Sequence, residues 1–448
     1  MKTLYEIEER YKNELERLEE WAYLRSYYRH ALATKNIETN VKLSKLKIIK
    51  EIFFGFSSWF RKYDYFVFSD TSGRKRIDNK WFDPSVDYIM KVLGQKRGLL
   101  VEEPNPNYFK KRELYTKHIS SRRLLDALAL ILAKIIKKNI YYPVLEKINL
   151  ETNTLLDYEK QINLFNARYI LHKWLFKLYE VKFIIVKCYY SRQYVVKVAN
   201  DLNIEIVEVQ HGVVTNKNDA YNSLIKLDKR YFPNYLLSFG ESEKYELSDN
   251  GLINKEVFPV GSFYLDYLKS SFHKNINLKN ITKKYKKTVG ISLQKGSEDL
   301  MLKFIIKIAP KSQDILYIII PRFFNPLTST QYIFPKNTLF YPSLDCYQVV
   351  MHCDYHCTYY SACIVEVPSL GIPNILVDFD EKATVLYGNL EGKTTTIVKT
   401  EKEFLTIVTE DVCLDIDVVK NNNFYISNNY KRNIEKIVKK NFLGILRK

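Results

Sequence analysis

The stretch FIIVKCYYSRQYVVKVANDLNIEIVEVQHG, from Phe183 to Gly212, has the pattern of a strand, a helix and a second strand. Residues Phe183–Val186 form an apolar run of strand length, and residues 191–203 have the spacing of a helix. A second run, Ile204–Val209, ends at Gln210-His211-Gly212. Short apolar runs that alternate with helices are typical of βαβ units, so this stretch predicts a parallel sheet covered by helices.

The same alternation extends in both directions and begins again after residue 287. Further strand-length runs are Tyr65–Phe68, Leu99–Val101, Tyr235–Phe239, Val257–Val260, Thr288–Leu293, Leu316–Ile320, Tyr355–Tyr359 and Asn374–Val377. A chain of 448 residues exceeds the size at which one hydrophobic core keeps growing. We therefore predict an α/β protein with two Rossmann-like domains that face each other across a cleft, and a ligand site in that cleft.

Changes in composition predict the domain boundaries. Residues 1–55 have helical spacing with no Gly or Pro before Gly55, and residues 270–287 are polar and basic. The predicted order is a helical N-terminal extension at 1–55, a first Rossmann-like domain at 56–269, a linker at 270–287, a second Rossmann-like domain at 288–424 and a basic C-terminal helix at 425–448.

The chain is basic, with 69 Lys and Arg against 51 Asp and Glu and a formal charge of +18. Such a charge favours an anionic partner, although an abundance of Lys, Asn, Ile and Tyr also produces it by compositional drift. The 35 Tyr and 25 Phe suit flat ligands such as sugars or bases. Because no recognised nucleic-acid motif is present and the basic residues are dispersed, nucleic acid is not an expected partner.

The first twenty residues are charged and helical, which is unlike a signal peptide. The longest apolar run, Leu124–Ile136, contains Asp126 and Lys134 and is too short to span a membrane. We therefore expect a cytoplasmic protein whose six Cys are reduced. The lysine runs at 283–287 and 436–440 indicate solvated faces, which would also hold the protein on an anionic inner-membrane surface.

Ligands of parallel α/β sheets bind beyond the carboxyl ends of the strands, and this rule selects two places. At the first, Gly212 allows a sharp turn, and His211 can exchange a proton near neutral pH unless it is a structural histidine. At the second, Ser361 is positioned to cap a helix that carries Glu366, and a helix N-terminus suits a phosphate. Gly371 is the expected end of that helix.

Metal sites are not expected. His356 and Cys357 are adjacent strand positions that face opposite ways, so a zinc set with Cys353 and Cys363 is disfavoured against buried cysteines. The pattern Asp378-Phe379-Asp380 resembles a metal-binding DxD but arises readily by chance. Glycine-rich dinucleotide and P-loop patterns are absent from the sequence, so we expect neither a cofactor nor an obligatory metal.

A family resemblance is carried by ANDLNIEIVEVQHGVV (Ala199–Val214), Tyr221, FPNYLLSFGE (Phe232–Glu241) and VGS (Val260–Ser262). Together these segments resemble bacterial glycosyltransferases of the GT-B fold, above all those that build capsule, lipopolysaccharide or teichoic-acid-like surface polymers. The strand YHCTYY, Ser361 and the spacing from Glu366 to Gly371-Ile372-Pro373 agree in the second half, and Phe68–Ile89 is similar to the opening unit of such proteins.

The resemblance implies an inverting transfer from a nucleotide-sugar donor to a glycan or lipid-linked acceptor, with His211 as the catalytic base. The implied donor-binding residues are Ser292, Gln294, Arg322, Tyr360, Ser361 and Glu366, and the acceptor-side residues are Gln210, Gly212 and Tyr221. Two features depart from the family pattern: Pro321–Pro326 lacks a histidine, and Pro368 should kink the helix or confine it to its first turn. Transfer of a polyol phosphate from a CDP-linked donor is the alternative within enzymes, and nucleic-acid binding is the alternative from another class.

Overall fold

A computed structural model describes residues 3–33, 45–71, 73–103, 110–247, 251–271, 275–294, 296–322, 332–410 and 417–447. The chain divides into two compact units. The first unit is Met1–Val260 together with Asn429–Lys448, and the second unit is Gly261–Asn428.

The first unit is built on a seven-stranded parallel sheet with the order β5-β4-β1-β6-β7-β8-β9. Its strands are β1 Tyr65–Ser69, β4 Gly98–Glu102, β5 Ile119–Ser121, β6 Phe183–Lys187, β7 Glu205–Val209, β8 Tyr235–Ser238 and β9 Glu256–Pro259, and an antiparallel hairpin pairs β2 Lys75–Ile77 with β3 Lys80–Phe82. Every residue of β1, β4 and β6 is buried, because helices cover both faces of a parallel sheet. This explains why these strands are continuous apolar runs in the sequence.

Helices cover this sheet. They are α1 Leu4–Arg10, α2 Lys12–Glu16, α3 Trp21–Ala33, α4 Lys45–Ile52, α5 Asp87–Leu93, α6 Arg122–Ile135, α7 Pro143–Thr152, α8 Tyr158–Leu178, α9 Gln193–Asp201 and α10 Glu243–Glu246. Buried Arg25 fixes α3 to the loop after β7, because its guanidinium donates to the carbonyl oxygens of Asp219 (2.5 Å) and Asn222 (3.0 Å). Helices α1 to α3 of the predicted N-terminal extension thus contribute to the core of the first unit.

The second unit has a six-stranded parallel sheet with the order β12-β11-β10-β13-β14-β15. Its strands are β10 Lys287–Ser292, β11 Ile315–Ile320, β12 Thr338–Phe340, β13 Tyr355–Thr358, β14 Asn374–Val377 and β15 Thr395–Val398. Its helices are α11 Phe263–Ser271, α12 Ile276–Thr282, α13 Glu298–Ile308, α14 Cys346–Val350, α15 Cys363–Glu366, α16 Lys382–Tyr387, α17 Glu401–Thr409 and α18 Val418–Asn422. The segment predicted as a linker contains α12, whose Leu278 is fully buried and belongs to this unit's core.

The C-terminal segment forms α19 Tyr430–Ile437 and α20 Leu443–Arg447, joined by a π-helical turn. It packs on the first unit: the Tyr88 hydroxyl donates to Glu435 (2.5 Å), and the rings of Phe442 and Phe183 lie 5.0 Å apart. Its buried apolar face therefore completes the core of the first unit.

The charged residues of the opening motif Phe68–Ile89 are used inside the first unit. Buried Arg74 pairs with Glu102 at 2.7 Å and with Asp87 at 3.6 Å. Burial raises the pKa of Glu102 to about 7 and that of Asp87 to about 6, even though the Arg74 charge opposes this. The Arg74 ion pairs thus connect the segment after β1 to β4 and α5 inside the first unit.

Two parallel-sheet α/β units confirm the predicted fold class. Within the described ranges, every helix is too short or too polar to cross a membrane.

Candidate functional site

In each sheet the chain first adds strands on one side of the starting strand and then adds the remaining strands on its other side. In the first unit, β4 and β5 lie on one side of β1, while β6 to β9 lie on the other. In the second unit, β11 and β12 lie on one side of β10, while β13 to β15 lie on the other. Ligands of open α/β sheets bind beyond the strand ends at such switch points. We call the β1–β6 edge the first-unit site and the β10–β13 edge the second-unit site.

His211 lies at the first-unit site, two residues after β7 ends at Val209. Its Nε2 atom is 2.9 Å from the hydroxyl of Tyr190 and 3.2 Å from Sγ of Cys188. Its Nδ1 atom is shielded from solvent and has no hydrogen-bond partner in the described chain. Burial lowers the pKa of His211 to about 4, and the nearby Lys187 charge lowers it further, so the ring is neutral at pH 7.

The strand ends beside His211 carry a fixed group of charges. Nζ of buried Lys187 lies 3.5 Å from both carboxylate oxygens of Asp70, which follows β1. Buried Arg192 joins the two strands, because its guanidinium donates to the carbonyl oxygens of Ser69 (2.8 Å) and Lys187 (2.5 Å). The site therefore presents more positive than negative charge beside a neutral imidazole.

Sequence reasoning did not select Lys187, Cys188 or Tyr190. They lie at the end of β6 and in the turn that follows it, and Cys188 adopts the left-handed backbone conformation (φ 64°) that starts the turn. Ligands bind beyond the carboxyl ends of strands, and this rule was applied to the run Ile204–Val209. The same rule applied to Phe183–Val186 would have selected these residues.

The polar groups of the predicted acceptor-side residues make hydrogen bonds within the protein. The amide of buried Gln210 is used internally: it donates to the Gly212 carbonyl and to Glu243 (both 2.8 Å) and accepts from the Phe239 N–H. Tyr221 is buried and donates to Glu208 (3.0 Å). A Cβ added at Gly212 would meet no described atom within 4 Å, so the space beside this residue is open.

Glu208 is a second feature that the sequence did not single out. It is fully buried, and its Oε1 accepts from the Tyr221 hydroxyl and from the Tyr189 N–H (3.3 Å). Its Oε2 has no hydrogen-bond partner among the residues that the structure describes. Burial raises the pKa of Glu208 to about 8, so this carboxyl group is mostly protonated at neutral pH.

At the second-unit site the hydroxyl of Ser292 points into the protein instead of toward a phosphate. Ser292 Oγ is 2.8 Å from Nε2 of His356, whose Nδ1 is 2.8 Å from Oδ1 of Asn374. The Asn374 amide nitrogen donates to the Ile364 carbonyl, which leaves its oxygen to accept from Nδ1. Burial lowers the pKa of His356 to about 4, so the ring is neutral and its Nε2 accepts a hydrogen bond from the Ser292 hydroxyl.

Gln294 and Arg322 form the open side of this site. Nη1 of Arg322, after β11, donates to Oε1 of Gln294 (2.9 Å), which orients the guanidinium. Tyr360 packs edge-to-face on Tyr359 at 4.5 Å, and its hydroxyl comes within 4.0 Å of a Cβ placed on Gly296. These side chains follow β10, β11 and β13, so all three strand ends contribute to one edge.

The helix after β13 is short. Ala362, not Ser361, is the N-cap of α15, because Ser361 Oγ accepts only a long bond (3.4 Å) from the Cys363 N–H. The α-helix ends at Glu366, and residues Val367–Leu370 form a 3₁₀ turn with Pro368 in it, as the position of that proline predicted. The half-buried Glu366 carboxylate accepts from the hydroxyl of Tyr347 at 2.5 Å.

No group of three or more metal-ligating side chains is found in the described part of the chain. Asp378 caps α16 by accepting from the N–H groups of Ala383 (3.2 Å) and Thr384 (3.1 Å). Asp380 pairs with Lys382 at 2.7 Å. Both carboxylates of the DxD pattern therefore have structural partners.

The sequence matches no protein-family model, and no curated protein is significantly similar to it. Among solved structures, it is similar to MnaA of S. aureus with UDP, at 12% identity and a TM-score of 0.53, covering 87% of this chain and 98% of that one. It is also similar to the UDP-GlcNAc 2-epimerases of Neisseria meningitidis bound to UDP-GlcNAc (14% identity, TM-score 0.50, 84% and 98% covered) and of Methanocaldococcus jannaschii in complex with UDP-GlcNAc and UDP (13% identity, TM-score 0.50, 84% and 98% covered). At such identities the likeness concerns the fold alone, and together with the two parallel sheets it shows that the chain has a GT-B fold.

Proposed function

We propose that the chain is a glycosyltransferase that moves a sugar from a nucleotide-sugar donor to a surface glycan or lipid-linked acceptor, with inversion. The first-unit site would receive the acceptor, and the second-unit site would hold the donor. The observation that carries the proposal is His211, a neutral imidazole at a switch point with one ring nitrogen facing a tyrosine hydroxyl. The nucleotide ligands of the solved structures with this fold also support a nucleotide-sugar donor.

The proposed base works through Tyr190. An inverting transfer needs a group that takes the proton of the acceptor hydroxyl while its oxygen attacks the sugar carbon and the nucleotide leaves. Because Nδ1 of His211 is shielded, the proton would reach Nε2 by way of the Tyr190 hydroxyl, 2.9 Å away. An anion bound beside Lys187 and Arg192 would raise the pKa of His211 toward neutral and make it a more effective base.

The donor would be held by charge and by hydrogen bonds at the second-unit site. Arg322, oriented by Gln294, would bind the donor phosphates and stabilise the charge that develops on the leaving group. Backbone N–H groups after Ser361 and the ring of Tyr360 would line the same edge. The carboxylate of Glu366, held by Tyr347, would accept from the ribose hydroxyls.

The first experiment separates base from binding residues. His211→Ala and Tyr190→Phe should each lower turnover by about 10²–10⁴-fold, the usual contribution of a positioned proton acceptor, and leave donor affinity unchanged. His118→Gln, a first-unit histidine that contacts Tyr63, is the control and should behave as wild type. Full turnover in His211→Ala would contradict the assignment of the base.

A donor panel tests the reaction class. UDP-, GDP-, CMP- and CDP-linked sugars and a CDP-linked polyol are compared in thermal-shift and product assays. We expect one nucleotide sugar to raise the melting temperature and to be consumed only with an acceptor. Consumption of the CDP-polyol would favour polyol-phosphate transfer, and 2-epimerisation of UDP-GlcNAc without acceptor would favour an epimerase. Stabilisation by DNA alone would refute all three.

We also propose that the protein attaches peripherally to an anionic membrane through one face of the first unit. The face, here called the apolar face, consists of exposed side chains on adjacent elements: Leu46, Ile49, Phe53, Phe56, Phe60, Leu128, Ile131, Ile135, Ile170, Trp174 and Leu178. Those on α6 and α8 recur every three or four residues, and α6 packs against both α8 and α4. Exposed cations lie on the same elements or directly after them in the chain: Lys50, Arg61, Lys62, Lys134, Lys138 and Lys177. Elements that carry both exposed apolar and exposed basic side chains match a bilayer with anionic head groups.

Vesicle sedimentation tests this attachment. Wild-type protein should sediment with phosphatidylglycerol-containing vesicles and much less with pure phosphatidylcholine. Ile131→Glu and Trp174→Glu should abolish sedimentation, whereas Leu300→Glu, at a similarly exposed position in the second unit, should not. If these two variants instead dissociate a lipid-independent dimer in sedimentation velocity, the face joins two copies and the membrane proposal is wrong.

A further inference from the structure

A cavity of about 340 Å³ lies in the first unit beside His211. It is lined by α3, the first residue of α6, the middle of α8, the turn after β6 and the start of α9, and it is partly open to solvent. Tyr190 belongs to its lining and also faces Nε2 of His211, so the cavity and the imidazole share one side chain. A volume near the lower end of the ~300–1,000 Å³ found for small-molecule sites suits a monosaccharide-sized group.

The lining of this cavity is aromatic and cationic. It includes Arg29, Arg122, Arg168 and four tyrosines, and it contains no Asp or Glu. The Arg29 guanidinium lies over the ring of Tyr190 at 4.3 Å, and that of Arg168 lies 5.3 Å from the centre of the Tyr194 ring. Aromatic faces suit sugar rings, and guanidinium groups bind carboxylate or phosphate with two parallel hydrogen bonds.

Three carboxylates lie behind the lining, and one of them, Glu103, pairs with Arg122 at 3.1 Å. Asp126 is shared, since it lies 3.2 Å from Arg122 and 2.8 Å from Arg168. Arg29 reaches Asp219 only at 3.4 Å. Nε of Arg168 is shielded from solvent and lacks a hydrogen-bond partner within the described residues. A buried donor without a partner is costly, and an anionic ligand would satisfy it.

We propose that this cavity binds a sugar unit of the acceptor that bears a carboxylate or phosphate, and holds it beside Tyr190 and His211. The inference rests on the proposed role of the first unit as acceptor site and adds the class of acceptor: an acidic glycan. The anion would lie between the guanidinium groups of Arg29 and Arg168, with the sugar ring against the tyrosines.

Calorimetry on the full chain tests this with methyl glucuronide, glucose 6-phosphate, methyl glucoside and inorganic phosphate. At least one of the two anionic sugars should bind about tenfold or more tightly than both the neutral sugar and the phosphate ion. Arg29→Gln should remove that preference, whereas Arg230→Gln, a surface arginine paired with Asp228, should keep it. Arg29→Gln is used because its pair with Asp219 is long, and far-UV circular dichroism checks its fold.

The outcomes separate this inference from the proposed function. Equal binding of acidic and neutral sugars, binding of phosphate ion alone, or unchanged binding in Arg29→Gln overturns the acidic-acceptor inference, even if nucleotide sugars still bind. Selective binding of an acidic sugar that Arg29→Gln removes supports the cavity even if no nucleotide sugar binds, in which case the transferase proposal fails alone.

Discussion

Glu208→Gln should make the first unit's stability less dependent on pH. The folded state keeps this carboxyl protonated up to about pH 8, whereas an exposed glutamate releases its proton near 4.5. A raised pKa gives stability that is fully present below pH 4.5 and is lost as the pH rises through 8, because the folded state then binds more protons than the unfolded one. The cause is burial without a cationic partner.

The magnitude follows from the shift. Each pH unit between the two pKa values changes the free energy of unfolding by about 1.4 kcal/mol, so wild type should lose about 2–3 kcal/mol more than Glu208→Gln between pH 5.5 and 7.5. Gln keeps an oxygen for the bonds from Tyr221 and Tyr189, and its amide nitrogen replaces an oxygen that already lacks a partner in the described chain. Any fixed cost of the substitution cancels when the two pH values are compared.

Urea denaturation followed by tryptophan fluorescence measures this loss. All four tryptophans belong to the first unit, so the signal reports that unit: Trp21, Trp59, Trp81 and Trp174. Glu256→Gln, at an exposed position of β9 in the same sheet, is the matched control and should follow wild type. A difference between Glu208→Gln and wild type that stays constant from pH 5.5 to 7.5 would show that Glu208 is ionised in the fold, and the burial argument would fail.

Three further predictions concern the two sites. Glu366→Gln should weaken nucleotide-sugar binding by about tenfold in calorimetry, as loss of a charged acceptor does, while the exposed second-unit variant Glu391→Gln should bind normally. Iodoacetamide should label Cys363 before Cys353 in peptide mass spectra, because a hydrogen bond from Cys346 lowers the pKa of Cys363 and burial raises that of Cys353, and bound donor should slow the labelling. Because the pKa of His211 is lowered to about 4, kcat/KM should stay level as the pH falls from 8 to 5.5; a decline centred near 6.5 would contradict this.

The periodicity of the sequence predicted the interior of both sheets correctly. The runs at β1, β6 and β11 are long and apolar because helices cover both faces, and such runs stand out in any sequence. The three-residue strands β5 and β12 were missed, since a run this short has no measurable period. Helix α12 was missed for a related reason: only Leu278 of its seven residues is buried.

The sequence predicted which residues lie at strand ends. It did not predict which side chains form hydrogen bonds with each other. His211 follows from its place after β7, but the partner of a hydroxyl depends on the fold. The sequence assigned Ser292 to a phosphate, but in the fold its hydroxyl donates a hydrogen bond to His356, which is 64 residues away and fully buried. Ser361 was assigned the N-cap by its residue type, and the chain starts the helix one residue later.

Helix α3 of the N-terminal segment belongs to neither sheet, yet it lines the cavity beside Tyr190 and would thereby contribute to the proposed specificity for acidic sugars. Helix α3 lies against the turn after β6 because Arg25 binds the backbone of the 219–222 loop, and this places Arg29, one helical turn later, over Tyr190. Contacts between residues about 160 positions apart leave no trace in local periodicity, so the sequence predicted only a helical extension. If Arg25 is the anchor, Arg25→Met should abolish selective binding of acidic sugars as fully as Arg29→Gln does, although residue 25 is absent from the cavity lining. Retained selectivity in a folded Arg25→Met protein would mean that the other contacts of α3, such as the hydrogen bond from Gln193 to the Ala22 carbonyl, hold the helix in place.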